Sequence, residues 1–416
     1  MEINEATQRF IADNRDGDVR QLALRGSRTA GVDLPFALDQ IRGRQVAAAK
    51  MPRWAATEGI VYPPHLSLEQ SSGEPAALYK AALAGSGDRY VDLTGGMGGD
   101  FSIMSARFRE RIYVERNALL CRLARHNLPL LGIEAEVVEA DAESYLRQMA
   151  PADVVFIDPA RRSDSGSRTY ALADCSPNVL DLLPLLNAKA RCVIMKLSPM
   201  LDWHKAVADI EGQVSGGKSH KDSAPEEHEE GKDRLTVAEV HILSVANECK
   251  ELVLVMRQGA GEQPLRLVCS NDGTTFSCLP SEQAVPTAAA EPQAGQWLYV
   301  PNASVMKGGC FGAVSRQFGI GMVAANSHLF CSETQLPESF PGRCFRIEST
   351  STMNRRQLKT ALSGITQANI SCRNFPIDVA ALRRKLRLAD GGDTYIFATT
   401  TALCTHLLLF CKAVKP

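Results

Sequence analysis

With 416 residues the chain exceeds one ordinary domain, and its 45% hydrophobic and 22% charged residues describe a globular protein rather than a disordered or fibrous one. No run approaches the roughly 20 apolar residues of a membrane span, and the polar opening MEINEATQRF is not a secretory signal. Twelve cysteines without a CxxC pair argue for reduced thiols in a cytoplasmic protein and against a metal site, and the net charge of -1 hides a basic end: residues 341–416 hold twelve Lys/Arg against four Asp/Glu.

Taken in chain order, residues 1–80 read as a helical N-terminal extension. The run FALDQIRGRQVAAAKMPRWA has apolar residues at helical spacing and ends before Pro63-Pro64. A further helix over Glu74 to Leu83 leads into the first strand. From about 88 to 258, RYVDLT, RIYVER, AEVVEA, DVVFIDP, RCVIMKLS, AEVHILSV and KELVLVMR alternate with helical stretches or short turns. Such alternation predicts an α/β domain over 81–280 with a parallel sheet. The short connection from Ala246 to Glu248 predicts an antiparallel hairpin at the edge of seven strands. Residues 211–234 have no hydrophobic pattern and read as a loop, and 281–295 as a linker. Two small α+β modules follow, at 296–345 and 346–416.

The densest chemical signal is Tyr90-Val-Asp-Leu-Thr-Gly-Gly-Met-Gly-Gly-Asp100, a strand ending at an acid followed by a glycine turn that opens a helix. Glycines let backbone approach a ligand closely. Phe101 stands where a GxGxxG dinucleotide fingerprint needs glycine, which weighs against NAD or FAD, and no GxxxxGK[ST] loop is present. Glu115 ends the second strand about 20 residues later, where doubly wound folds place an acid on ribose hydroxyls. Asp141 follows the third strand, and its carboxylate can accept from an adenine amino group. Asp158-Pro159 ends the fourth. No Lys or Arg accompanies the turn, so the ligand suggested is a nucleoside without phosphate, and S-adenosylmethionine (SAM) suits it better than ATP or NAD. A tight strand–helix turn with no ligand is the alternative.

At these residues the chain resembles class I SAM-dependent methyltransferases. VDLTGGMGGDF followed by YVERN is similar to the first two motifs of bacterial rRNA guanine-N2 methyltransferases. Across SLEQSSGEPAALYKA, VFIDPARR, PNASVMKGGCFGAVSRQFGIGMVAANSHLF and CRNFPIDVAALRRKLRLADGGDTYIFAT it resembles a bacterial methyltransferase family with a ferredoxin-like domain and a C-terminal THUMP-like domain. The resemblance implies a Rossmann-like fold and a SAM site formed by Asp92, Thr94, Gly95, Gly96, Gly98, Gly99, Asp100, Glu115, Arg116, Asp141 and Ala142.

Many base-amine methyltransferases carry [DNS]PP[YFW] at the end of the fourth strand. Here the run is Asp158-Pro159-Ala160-Arg161, so the second proline and the aromatic are absent. Asp158 can still orient an amine, with Pro159 shaping the turn. Arg161 and Arg162 offer guanidinium groups for a base or phosphate, a solvated loop pair being the alternative. Lys196 reads as a substrate contact or a structural ion pair, and Gln70, Ser71, Ser72 and Glu74 as a cover over SAM or a helix cap. In the last module, Arg383, Arg384, Lys385 and Arg387 with nearby Arg373 suggest an RNA-binding face. These residues together predict a SAM-dependent methyltransferase acting on a base in rRNA or tRNA, needing neither metal nor membrane. Action on protein or a small molecule, or an inactive RNA-binding SAM fold, are the rivals.

Overall fold

A computed structural model describes residues 3–25, 30–63, 68, 71–161, 171–216, 234–260, 263–282, 286 and 288–414. The chain divides into two compact units. One comprises Met1–Glu239 with Glu251–Gln263, the other Val240–Lys250 with Pro264–Pro416. Among the described residues no helix is long and apolar enough to cross a membrane.

The first unit opens with helices α1 (Glu5–Asp13), α2 (Val19–Arg25), α3 (Leu34–Lys50) and α4 (Pro52–Ala56). Asn4 and Asp33 start α1 and α3 by accepting the Thr7 and Phe36 amides, which would otherwise lack partners. Helix α5 (Glu74–Ala84) stops at Gly85, whose φ of 69° suits glycine, and β1 (Gly87–Asp92) begins two residues later. The expected boundary at residue 80 thus falls inside α5. The succession continues through α6 (Phe101–Met104), β2 (Phe108–Glu115), α7 (Ala118–Leu130), β3 (Glu136–Glu139), α8 (Ala142–Gln148), β4 (Ala152–Ile157), α9 (Val179–Lys189), β5 (Ala190–Leu197) and α10 (Trp203–Gly216).

Strands β3, β2, β1, β4 and β5 are parallel neighbours. The inner ones are buried almost continuously because helices cover both faces, so their sequences lack alternation. Strand β7 (Glu248–Gln258) runs antiparallel to β5 and is joined to β6 (Leu235–Val245) through Ala246 and Asn247, whose φ values of 50° and 59° fit a tight hairpin turn. The hairpin is not the sheet edge, however. Strands β8 (Arg266–Asn271) and β9 (Thr274–Cys278) add beyond β6, giving nine strands in the order β9-β8-β6-β7-β5-β4-β1-β2-β3. The loop expected over 211–234 also begins later, since α10 runs through 216 and 217–233 lie outside the described residues.

In the second unit, β10 (Trp297–Pro301), α11 (Ala303–Gly308), α12 (Phe311–Phe318), β11 (Gly321–Met322), β12 (Phe330–Ser332), β13 (Gly342–Thr352), α13 (Arg355–Ala361), β14 (Asn369–Arg373), α14 (Val379–Leu386), β15 (Thr394–Thr400) and β16 (His406–Ala413) follow. The two modules expected here share one seven-stranded sheet, ordered β11-β12-β10-β13-β16-β15-β14. The expected boundary at 345/346 falls within β13. Alternation along β15 and β16 sends Phe397, Leu407 and Leu409 to one core and Ile396, Ala398, Leu408 and Phe410 to another. The segment expected as a linker is partly tied down, because Ala288 bridges Met322 and the Ala289 amide donates to the Met322 carbonyl.

Candidate functional site

A cleft of about 520 Å³ opens at the carboxyl ends of β1, β2, β4 and β5. That is where ligands bind in open α/β sheets, and the volume lies within the range of small-ligand sites. The glycine turn forms one wall. Gly96 and Gly98 have φ of 57° and 90°, and a side chain on Gly95 would lie 2.2 Å from the Tyr113 ring. Gly98 shapes the turn without lining the cleft, unlike Gly95, Gly96 and Gly99. The Tyr113 hydroxyl donates to the Gly96 carbonyl and fixes the turn from below. Helices α3 and α4 brace it further, since the Trp54 indole donates to Ser102 Oγ at 3.1 Å and Met51 packs against Gly99.

Four amides of the turn are engaged: Thr94 donates to Asp92 Oδ1, Gly95 to the Val114 carbonyl, Gly96 to Glu115 Oε2 and Gly98 to the Gly95 carbonyl. These four are not available to cradle a phosphate. Glu115 also accepts from the Asn117 amide at 2.8 Å. Each of its oxygens holds one backbone donor and keeps a lone pair, a carboxylate fixed in place and ready for a diol. Arg116 lines the cleft mouth beside Ser176, which it approaches at 3.4 Å. Asp141 also lines the cleft, but its Oδ1 caps α8 through the Ser144 amide, and that bond holds its carboxyl below the ordinary value. Ala142 lines the cleft beside it.

The other end of the cleft adjoins a connected network of charged groups and one serine hydroxyl. Lys80, fully buried on α5, contacts Asp100 Oδ1 at 2.9 Å, Glu251 Oε2 at 2.5 Å and Ser72 Oγ at 2.7 Å. Ser72 donates to Asp100 Oδ2 at 2.7 Å. Lys196 on β5 lies 2.5 Å from Asp158 Oδ2 and 3.9 Å from Asp100 Oδ2. Burial would raise the Asp100 carboxyl, but Lys80 and Lys196 outweigh it and hold the group below its ordinary value. Burial raises Asp158, with Lys196 opposing. For Lys196, burial is outweighed by Asp158 and Asp100, which keep it protonated. Asp92, almost wholly buried, is pushed well up by burial and by the neighbouring Asp100, Asp158 and Glu115 charges, against the Thr94 amide.

Asp158 is further fixed by its amide, which donates to Thr94 Oγ1 at 2.7 Å and so ties the end of β4 to the glycine turn. Pro159 is buried and does not line the cleft. Lys196 is thus both a cleft residue and an ion-pair partner. Ser72 is no helix cap, because Gly73 occupies that position with no side-chain bond. Ser71 lines the cleft, Glu74 accepts from the Arg53 amide, and Gln70 lies outside the described residues. Arg162 and the Arg161 side chain also lie outside them. Lys80 and Glu251 had no signal in the sequence: one sits in an alanine-rich helix and the other in an apolar strand 171 residues away.

In the second unit the basic residues divide. Arg383 donates to the Ala368 and Ala389 carbonyls and pairs with Asp390 at 2.5 Å, so it holds the module together rather than facing a partner. Arg384, Lys385 and Arg387 are exposed. Arg373 is half-buried beside Arg343, and burial together with that neighbouring cation lowers its pKa.

Known proteins place this geometry. A ferredoxin-like domain matches residues 297–341, and a THUMP domain-like module matches 342–413. The crystal structure of a protein from Porphyromonas gingivalis, described as a methyltransferase, is 28% identical over the whole of both chains with a TM-score of 0.80. S-adenosylmethionine-dependent methyltransferases from two strains of Mycobacterium tuberculosis, themselves uncharacterised, are 28% identical over 342 residues, which span 80% of this chain and 83% of each relative. By these likenesses the chain is a SAM-dependent methyltransferase of class I fold, with SAM as its cofactor, and it carries a ferredoxin-like domain and a THUMP domain-like module.

Proposed function

We propose that this methyltransferase acts on a base in RNA, rRNA or tRNA, in the cytoplasm. The observation that carries the RNA reading is the charge of the THUMP domain-like module, whose surface cations have few acidic neighbours. In this reading Glu115 accepts from the ribose hydroxyls of SAM, and Asp141 and Ala142 face its adenine. The turn from Asp92 to Asp100 runs along the methionine portion. The acids at that end, only partly balanced by Lys80 and Lys196, suit a ligand bearing a sulfonium and an ammonium group.

SAM supplies an activated methyl group, so the protein's contribution is position and electrostatics. Asp158 accepts a hydrogen bond from the acceptor group and turns its lone pair toward the cofactor. The pair with Lys196 opposes the rise that burial imposes on Asp158 and fixes the rotamer in which one oxygen remains for substrate. Thr94 holds the backbone of Asp158 to the same turn that cradles the cofactor, so donor and acceptor are registered by one rigid element. Pro159 keeps the strand end from relaxing, and Arg161 and Arg162 lie next in the chain to meet the base or its phosphate.

The test is transfer of radiolabelled methyl from SAM to deproteinised bacterial RNA, followed by nucleoside mass spectrometry of RNA from cells with and without the protein. Label in a defined nucleoside, missing in the deletion strain, supports the reading. Label in protein or small molecules alone defeats it. Binding of RNA without any transfer leaves the inactive, RNA-binding rival.

A further inference from the structure

We propose that the outer faces of α13 and α14 form one cationic surface on which the phosphate backbone of the substrate RNA docks. This rests on the RNA reading above and extends it to a helix, α13, in which the sequence alone drew no attention.

Both helices lie on the same face of the second sheet. Leu358 and Ala361 of α13 pack into the same core as Leu382 and Leu386 of α14, over Ile396, Ala398, Leu408 and Phe410. Helix α13 packs along β13 and α14 along β14, at the two sides of the four strands β13-β16-β15-β14. Their inward residues being fixed, helical periodicity sends Arg356 and Lys359 outward from one helix and Arg384 from the other, with Arg355 and Lys385 at the exposed flanks and Arg387 at the end of α14. All six are exposed. None is paired with a carboxylate among the described residues, in contrast to Arg383.

Elsewhere the same chain balances its surface helices: Arg9 with Glu5, Arg147 with Glu143 and Lys205 with Asp209 are all one turn apart. Neither RRQLKTA nor VAALRRKL contains an acid. Arg355 and Arg356 stand four and three positions before Lys359, an arrangement of like charges that destabilises a helix unless something anionic covers it. Core packing does not account for it, since no residue of α13 is fully buried. The outward positions also lack large apolar side chains, Val379 at the start of α14 being only 37% exposed. A membrane-surface helix would need such side chains. Arginine forks and lysines on a wet, apolar-free face match phosphate oxygens instead.

The experiment is filter binding of a single-stranded RNA to the full chain across a salt series, with R355A/R356A/K359A and R384A/K385A measured against wild type. Alanine favours helix at these exposed sites, and unchanged SAM affinity checks that the protein is intact. At about 0.7 per neutralised phosphate, the first variant should flatten log K against log salt by about 2 and the second by about 1.4. The conservative R355K/R356K/K359R should keep the slope. Should the α13 variant keep wild-type slope and affinity while the α14 variant loses both, the shared surface is refuted and the RNA reading survives. Wild-type protein with no salt-dependent affinity for RNA would remove both. Binding of phosphatidylglycerol vesicles as tight as that of RNA, lost in the same variants, would reassign the surface to lipid.

Discussion

Replacing Lys80 with methionine isolates the most deeply buried charge near the cleft. Methionine keeps most of the apolar stem and deletes the ammonium, so the change leaves Glu251 without its 2.5 Å cation and Asp100 with only the more distant Lys196 and the Ser72 hydroxyl. Removing one partner of a buried ion pair costs about 3–5 kcal/mol because a charge is left uncompensated in a poor solvent. Against a domain stability of about 5–15 kcal/mol this is a large fraction. In the first unit it corresponds to a fall in Tm of roughly 6–20 °C. Urea denaturation should show a lower midpoint at an unchanged m value. The pH dependence has a definite sign. Asp100 is held below its ordinary pKa, so its contribution is present above the unfolded value of about 3.9 and lost as pH falls through the folded one. The gap between wild type and variant should therefore be widest near neutrality and close on acidification. Adding Glu251→Met to the variant should restore part of the loss, since a buried pair replaced by apolar groups costs far less than a broken one. A loss below about 1 kcal/mol, or a gap that ignores pH, would refute the claim that Lys80 holds these carboxylates together.

Three further outcomes concern the cofactor and the acceptor. Glu115→Ala removes a fixed double acceptor worth about 1.5–3 kcal/mol, so calorimetry should show SAM affinity reduced at least tenfold. Asp158→Ala should abolish methyl transfer while retaining most SAM affinity, and equal turnover would strike Asp158 from the acceptor site. In wild type, kcat/KM should fall on acidification at a higher pH than an ordinary carboxylate dictates, because burial raises Asp158. Lys196→Met removes the cation that opposes this rise and should move that acidic limb higher still, so an unmoved limb assigns it to another group. Gly95→Ala should abolish SAM binding, since its methyl would have to displace the Tyr113 ring.

The glycine turn and the acids ending successive strands were legible because local sequence dictates them: hydrophobic strand, acid, glycine, helix. The parallel core was legible for the same reason. Lys80 and Glu251 were not, because neither position has a local pattern that distinguishes a buried ion pair from an exposed charge. The pairing arises only when α5 packs beside β7. Serine before glutamate suggested a cap at Ser72, yet tertiary structure turned the hydroxyl toward Asp100. Arg383 looked equivalent to Arg384 within one cationic run. Only the fold distinguishes the residue facing two carbonyls and Asp390 from its exposed neighbour. Strands β8 and β9 were missed because runs of six and five residues beside turns are too short to carry a clear periodic signal.

The tip of the β6–β7 hairpin belongs to the second unit although its base belongs to the first, so the chain passes between the units three times. Dissection by protease or stop codon is therefore a blunt tool for this enzyme. A truncation after residue 263 would strip β8 from β6 and leave the 240–250 tip without its own unit, baring an unpaired strand edge that invites aggregation. Loss of methylation in such a fragment would report a damaged sheet as readily as a missing RNA contact.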